Sequence, residues 1–408
     1  MINVSLAFSR EKDPFVAGKE AAEEALEDVR KPDIALVFVS GSYDIKQVWK
    51  GLKSALDCDI IGCSTAGEIL NEPKFGTVSL ALISTDYIRF FTTSEGRCPD
   101  YEYLGRSLTE NLIKESGVKT LGYYIRRESG RTLLLAFHAF LFLVCGIGGS
   151  GSEFARGVRE VIRGYPLVFG GSAGDDLKFE KTWVFDKWKL HSDGAVGCIL
   201  DTKLPVGVGV GHGWTPISPP FVVTKSQGNK LLELDGKPAV EVYSEVLGEK
   251  IAEKLVKEPL GKAALVYPLG IIDIHGRYRL RHPIRALEDG SIICSGDVPM
   301  GHVVRIMSTD EGKMIDAAKS AARQALESIG EPNPEDIGLA IIPDCAARMA
   351  IFGENKCKKE IEAVKEVIGD VPIVGFYTYG EYSSLGGGVE YLNETIVVGI
   401  ISRRSLLL

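Results

Sequence analysis

The sequence has 408 residues, 45% of them apolar and 25% charged, with a formal net charge of −8. That length exceeds what one hydrophobic core organises and favours two domains, and the composition is that of a globular chain rather than a disordered or membrane-embedded one. The negative balance, with no dense Lys/Arg run, argues against nucleic acid or anionic lipid as the main partner.

The chain opens on Met1-Ile2-Asn3-Val4, which lacks a basic stretch followed by an apolar one, so no signal peptide is expected. An apolar strand at 34–39 and a helical stretch at 47–56 then lead into Ile60-Ile61-Gly62-Cys63-Ser64-Thr65-Ala66-Gly67-Glu68. This is a short strand running into a small-residue loop that closes on Gly and an acid. A further strand follows at 76–83. The same order recurs with a strand within 132–145, a helix at 153–162, the loop Leu167-Val168-Phe169-Gly170-Gly171-Ser172-Ala173-Gly174-Asp175-Asp176 and a strand at 194–200. The apolar run 133–147 in this copy is shorter than the ~20 residues that span a bilayer and contains His138, so it reads as a buried strand with its flanks and not as a membrane insertion.

The Pro-containing stretch Thr215-Pro216-Ile217-Ser218-Pro219-Pro220 is the expected boundary, dividing the chain into domains 1–215 and 216–408. Beyond it come a strand at 221–224, a turn at Asp235-Gly236-Lys237 and a helix at 239–247. A weaker fourth copy is expected to end at Ser295-Gly296-Asp297, with a strand at 302–307. The last clear copy has a strand at 337–342, a helix at 358–368 with Ile361, Val364, Val367 and Ile368 on one face, the loop Ile373-Val374-Gly375-Phe376-Tyr377-Thr378-Tyr379-Gly380-Glu381 and a strand at 395–401. The fold class that follows is α/β, with repeated strand-helix-strand units forming layered sheets flanked by helices.

Gly-rich turns after strands expose backbone N–H groups, and the terminal carboxylate accepts hydrogen bonds from an ammonium or hydroxyl. At the carboxyl ends of strands they occupy the usual ligand crevice of α/β sheets. Turn geometry with a capping acid explains the same pattern without a ligand, and the sequence leaves both readings open. The segment 146–151, Gly146-Ile147-Gly148-Gly149-Ser150-Gly151, matches G-x-G-x-x-G between a strand and a helix, which makes a dinucleotide-binding enzyme an alternative. Against it, the strand-helix-strand unit repeats elsewhere without the fingerprint.

Cys58, Cys63, Cys98, Cys145, Cys198, Cys294, Cys345 and Cys357 form no C-x-x-C pair and sit mostly in apolar runs, which favours a reducing, cytoplasmic setting. No histidine has a second ligand four residues on, so no metal is expected, and no C-x-x-C-H motif attaches heme. His212, between Gly211 and Gly213-Trp214, is the histidine whose setting best suits an axial heme ligand, or else it is a plain turn residue. Cys63 and Ser64 lack a recognisable base, and Cys345 lies between Asp344 and Arg348, so no catalytic residue is expected and the chain is read as a non-enzyme. Arg348 suits a bidentate clamp on a ligand carboxylate, or an ion pair with Asp344 or Glu354.

The three Gly–acid loops, together with Pro343-Asp344-Cys345-Ala346-Ala347-Arg348 and Asn393-Glu394-Thr395-Ile396-Val397-Val398, resemble signature segments of FIST-domain proteins, in both N-terminal and C-terminal halves and from about residue 30 onward. The resemblance implies an intracellular sensory module for a small molecule, amino acids among the candidates, with heme-based gas sensing as an alternative. No output domain is read from the chain, so a separate signalling partner is expected. The segment around 133–152 departs from the family pattern, reading Cys145-Gly146-Ile147-Gly148 where an Asp-Gly is usual. The candidate ligand-binding residues are Gly62, Cys63, Ser64, Thr65, Gly67, Glu68, Gly170, Gly171, Ser172, Gly174, Asp175, Asp176, Cys345, Arg348, Tyr377, Thr378, Tyr379, Gly380 and Glu381. An acid at an equivalent loop position, with Arg348 opposite, would suit a zwitterion.

Overall fold

The computed structural model describes residues 2–118, 123–128, 131–136, 138–146, 150–162, 167–258, 261–385 and 388–403. In the first repeat the strands Ile34–Ser40 and Asp59–Thr65 pair in parallel and are joined by the helix Ile45–Ala55. In the second, His138–Val144 and Leu167–Ser172 pair in the same way across the helix Gly151–Val161. In the third, Ile337–Cys345 and Ile373–Thr378 are parallel, with the helices Ala346–Phe352 and Lys358–Ile368 between them. Parallel neighbours require a long crossover, and an amphipathic helix provides it while covering one sheet face. Asp44 and Ser150 cap the first two crossover helices by accepting backbone N–H bonds.

Each repeat then returns antiparallel beside its first strand, through Val78–Thr85, Gly194–Thr202 and Ile396–Ser402. An outer strand completes that side: Ile2–Ser9, Ile88–Gly96 and Val206–Gly211 respectively. On the other side every sheet is completed by a different repeat. The short hairpin Glu68–Leu70 with Pro73–Lys74 pairs with Ile373–Thr378 of the third sheet. Val184–Asp186 with Leu190–His191 joins Asp59–Thr65 of the first, and Glu381–Leu385 with Gly388–Leu392 joins Leu167–Ser172 of the second. Three six-stranded sheets are thereby linked in a closed cycle of exchanged hairpins that crosses residue 215 in both directions.

Strand alternation explains the packing. Ile34, Leu36 and Phe38 point into a core that also receives Ala139, Leu141 and Leu143 of the second sheet and Leu339 and Ile341 of the third. Their neighbours Ala35, Val37 and Val39, or Phe140, Phe142 and Val144, face the covering helices. Both faces are buried, so the strands read as continuous apolar runs. Phe38 stacks on Phe376 across two sheets, ring centroids 4.6 Å apart.

Residues 215–308 are inserted between the outer strand and the first helix, Glu311–Ser328, of the third repeat. They form a nine-stranded sheet with its own core around Val223, Leu231, Tyr243, Ile292 and Ile306. The expected fourth copy lies here and is not one. Ile292–Cys294, which precedes Ser295-Gly296-Asp297, pairs antiparallel with both Lys230–Leu234 and Pro283–Ala286 and has no crossover helix. Local sequence resembled the repeat only because a strand end and a Gly–Asp turn recur in antiparallel sheets as well. The strand expected within 132–145 divides into Arg131–Ala136, paired with Tyr123–Glu128, and His138–Val144 in the second sheet.

Candidate functional site

The three Gly–acid loops meet in the interior and hydrogen-bond to one another. The Ala66 N–H donates to the Tyr377 carbonyl (3.1 Å), the Tyr379 N–H to Ser172 (3.0 Å) and the Gly174 N–H to Ser64 (3.0 Å), closing a ring. Small residues permit this approach. A Cβ on Gly174 would stand 2.5 Å from the Ala66 nitrogen, and one on Gly171 2.5 Å from Thr378. Gly67 and Gly380 have φ values of 150° and 153°, a region open chiefly to glycine. Gly62 packs on the Phe185 ring, Gly170 on the Phe142 backbone, and Cys63 lies in the shared core.

Two loops repeat the same polar unit. Glu68 accepts from the Thr65 hydroxyl (2.5 Å) and from the N–H (3.1 Å) and hydroxyl (2.6 Å) of Thr77. Glu381 accepts from the Thr378 hydroxyl (2.5 Å), the Thr395 N–H (3.2 Å) and the Thr395 hydroxyl. Both carboxylates are wholly buried, and desolvation outweighs these donors, raising Glu68 to about 8 and Glu381 to about 7. The second loop differs. Asp175 accepts from the N–H groups of Phe179 (2.9 Å), Glu180 (2.7 Å) and Lys181 (2.9 Å) and from the Tyr379 hydroxyl (2.5 Å). It shapes the turn in which Asp176, Leu177 and Phe179 all have positive φ. Asp176 in turn accepts from the Ser40 hydroxyl (2.9 Å).

Arg348 is buried rather than at the surface. Its Nε donates to Glu360 (2.9 Å), its Nη1 to the carbonyls of His212 and Glu394, and its Nη2 to the Met314 carbonyl (3.1 Å) and Glu360. Asp344 completes the ion pair at 3.3 Å, and Glu354 is not the partner. All five N–H donors are engaged, so a ligand carboxylate would have to displace a protein group.

A cavity of about 390 Å³ opens beside this hub. Its walls come from three parts of the chain: Leu177 and Phe179 of the strained turn, Thr378 and Tyr379 of the third loop with Cys345, Ala347 and Ala350, and Leu265 and His282 of the inserted layer. Phe179 stacks on Tyr379 at 4.7 Å. Beyond that pair lies a second chamber of about 450 Å³, which shares Phe179, Tyr379 and His282 with the first. Its other walls include Ser150, Glu153, Asn229, Ser295, Asp297 and Tyr391. His282 is 8% exposed, and its Nδ1 has no hydrogen-bond partner among the described residues. The nearest acid is Glu394 Oε1 at 3.6 Å, itself fully buried. Burial and the adjacent Arg281 lower His282 to about 4, which keeps the ring neutral at physiological pH.

The FIST N domain model matches residues 33–237, and the FIST C domain model matches residues 239–384. The chain belongs to the FIST family. The chain is 26% identical to the uncharacterized protein MJ1623 of Methanocaldococcus jannaschii, over 91% of this chain and 73% of that protein. It is also 26% identical to the uncharacterized protein Rv0628c of Mycobacterium tuberculosis, over 54% of this chain and 57% of that one, so the match spans little more than half of the mycobacterial relative. Among solved structures, a chorismatase aligns over 98% of both chains at 10% identity and a TM-score of 0.36. A cyanuric acid hydrolase aligns over 98% of this chain and all of its own, at 8% identity and a TM-score of 0.40. Likeness at that level carries no argument about chemistry.

Of the residues singled out in this FIST chain, only Cys345, Thr378 and Tyr379 line the first cavity, and Tyr379 lines both. Gly62, Cys63, Ser64, Thr65, Gly67, Glu68, Gly170, Gly171, Ser172, Gly174, Tyr377, Gly380 and Glu381 build the hub or the strands leading into it, and Asp175 and Asp176 hold the turn. Leu177, Phe179 and His282 carry no repeated sequence pattern that would mark them as cavity residues. The Cys345 thiol bonds to Glu381 and is pushed well up by burial and by Glu381 and Glu394, the opposite of an activated nucleophile. His212 does not fit a heme site in these cavities. It lines neither, and its Nδ1 accepts the Trp214 N–H (2.9 Å). Of the segment 146–151, residues 147–149 lie outside the described residues, while Asp175, the acid after the next strand, is committed to the turn. Among the described residues no group of His, Cys, Asp and Glu has the arrangement of a metal site, and no helix is long and apolar enough to cross a membrane.

Proposed function

We propose that this FIST protein is a sensory small-ligand-binding protein of intracellular signal transduction, that its ligand occupies the cavity between Phe179, Tyr379 and His282, and that a separate protein receives the signal. FIST domains are associated with signal transduction and small-ligand sensing. The observation that carries the assignment is the composition of the cavity wall, drawn from the second repeat, the third repeat and the inserted layer. A ligand there touches all three and stabilises one arrangement of the insert against the ring, which is what a sensor requires. Three non-glycine residues at positive φ in the covering turn fit a site where backbone strain is retained for use.

Binding without turnover is part of the same reading, because burial and the neighbouring carboxylates Glu381 and Glu394 hold the Cys345 thiol protonated. Eight unpaired cysteines suit a reducing compartment such as the cytoplasm. Amino acids and simple amines are the first classes to screen, since an ammonium group matches the acid-rich surroundings of the cavity. A ligand at 100 times its dissociation constant adds ~2.7 kcal/mol of stability, a visible melting shift. Amino acids, monoamines and carboxylates of matched size are therefore compared by thermal melting. At least one compound should raise the transition by a few degrees, and a set that leaves the wild type unmoved would count against the cavity.

A further inference from the structure

The two chambers differ in character but share a wall. The first is largely apolar, with Leu177, Phe179, Leu265 and three alanines. Three aromatic rings line the second, those of Phe179, Tyr379 and Tyr391, together with the carboxylates of Glu153 and Asp297. Those two are the only charged groups among the described lining residues of either chamber, and none of those residues is Lys or Arg. Arg156 and Arg281 stand behind the wall. Arg156 is turned to Glu102 and Asp297, while Arg281 donates to the carbonyls of Asp297, Leu280 and Tyr391 and to Asn393. Asp297 is thus partly neutralised. Among the described residues Glu153 has only the long Arg156 contact of 3.9 Å, and burial and the nearby acids Asp297, Asp100 and Glu102 lift its carboxyl.

We infer that the two chambers form one site for an organic cation with an apolar body and no carboxylate, its ammonium held by Glu153, Asp297 and the rings of Phe179, Tyr379 and Tyr391. The inference rests on the proposal that this cavity is the ligand site. Aromatic faces attract a cation through their quadrupole, and a carboxylate adds a charge-assisted hydrogen bond. The buried, neutral His282 ring lines both chambers and offers a hydrogen-bonding group at their junction. A carboxylate or phosphate would meet Glu153 and Asp297 with no cation in the wall to receive it, and Arg348 is locked elsewhere. The lining therefore discriminates against anions by repulsion as well as favouring cations by attraction.

The test uses three probes with one ring and different charge: 2-phenylethylamine, phenylalanine and 3-phenylpropionate, titrated by calorimetry into the full chain. The amine should bind, with phenylalanine at least tenfold weaker and the carboxylate silent. Glu153→Gln should weaken the amine roughly three- to tenfold, as expected for a half-exposed charge, without moving the melting temperature. Equal or tighter binding of phenylalanine or 3-phenylpropionate, or an unchanged amine affinity in Glu153→Gln, overturns the inference. If the anion binds and Ala350→Trp at the cavity rim blocks it, the cavity assignment stands while the charge preference falls. If none of the three binds, the cation site is rejected, and the wider melting screen decides the cavity separately.

Discussion

Glu68 and Glu381 are the same chemical unit built twice, each carboxylate held by the threonine three residues before it and by a second threonine at the start of the return strand. The acid titrates near neutrality because burial penalises its charge more than the donors relieve it. The folded protein therefore keeps a proton that the unfolded chain, with an ordinary glutamate, loses at about 4.5. Stability from Glu68 is fully present below that pH and declines as the pH rises towards about 8. Glu68→Gln cannot titrate, and its amide can donate to Thr65, which can pass its proton to the Val39 carbonyl 3.3 Å away. Urea midpoints at pH 5 and pH 8 should show wild type losing stability relative to Glu68→Gln, on the order of one to a few kcal/mol. A gap that is constant with pH contradicts this account of the hub. The equivalence of the two acids was legible in the loop sequences. Their partners Thr77 and Thr395 were also within reach, since each directly precedes a return strand. His282 was not, because it comes from an antiparallel layer with no local pattern linking it to the loops, whereas the glycine and tryptophan neighbours of His212 mark a turn away from both chambers.

The helices and strands of the repeats follow from their apolar spacing. The helix 358–368 was predicted to its ends, and the strands after Ile60, Leu167 and Ile373 do run into the Gly–acid loops. What sequence spacing could not show is that the second loop has a different task. Its Asp175 turns away from the threonine-type pocket and organises residues 176–181, the segment that roofs the cavity. In Asp175→Asn one oxygen is replaced by a donor that faces N–H groups, costing about 1–3 kcal/mol locally. Hydrogen exchange at the amides of Phe179, Glu180 and Lys181 should accelerate by roughly tenfold or more. Unchanged protection there would show that the turn is held by other contacts.

For the whole molecule, the exchange of hairpins matters more than the division at residue 215 expected from the proline-rich stretch. Each sheet borrows its last two strands from another repeat, and sequence similarity between repeats says nothing about which neighbour receives them. The antiparallel insert was likewise obscured by one Gly–Asp turn. These two features create the cavity, because the ring brings the second and third loops together and the insert closes the side at Leu265 and His282. Ala350 lies at the exposed rim of that cavity, so a large side chain there fills it without disturbing the core. The most direct measurement is native mass spectrometry of the wild type and Ala350→Trp after incubation with the small-molecule fraction of a cell extract. The account predicts a low-mass adduct on the wild type that is lost from Ala350→Trp at unchanged melting temperature. An adduct held equally by both proteins, or none on the wild type at any extract concentration, would contradict it.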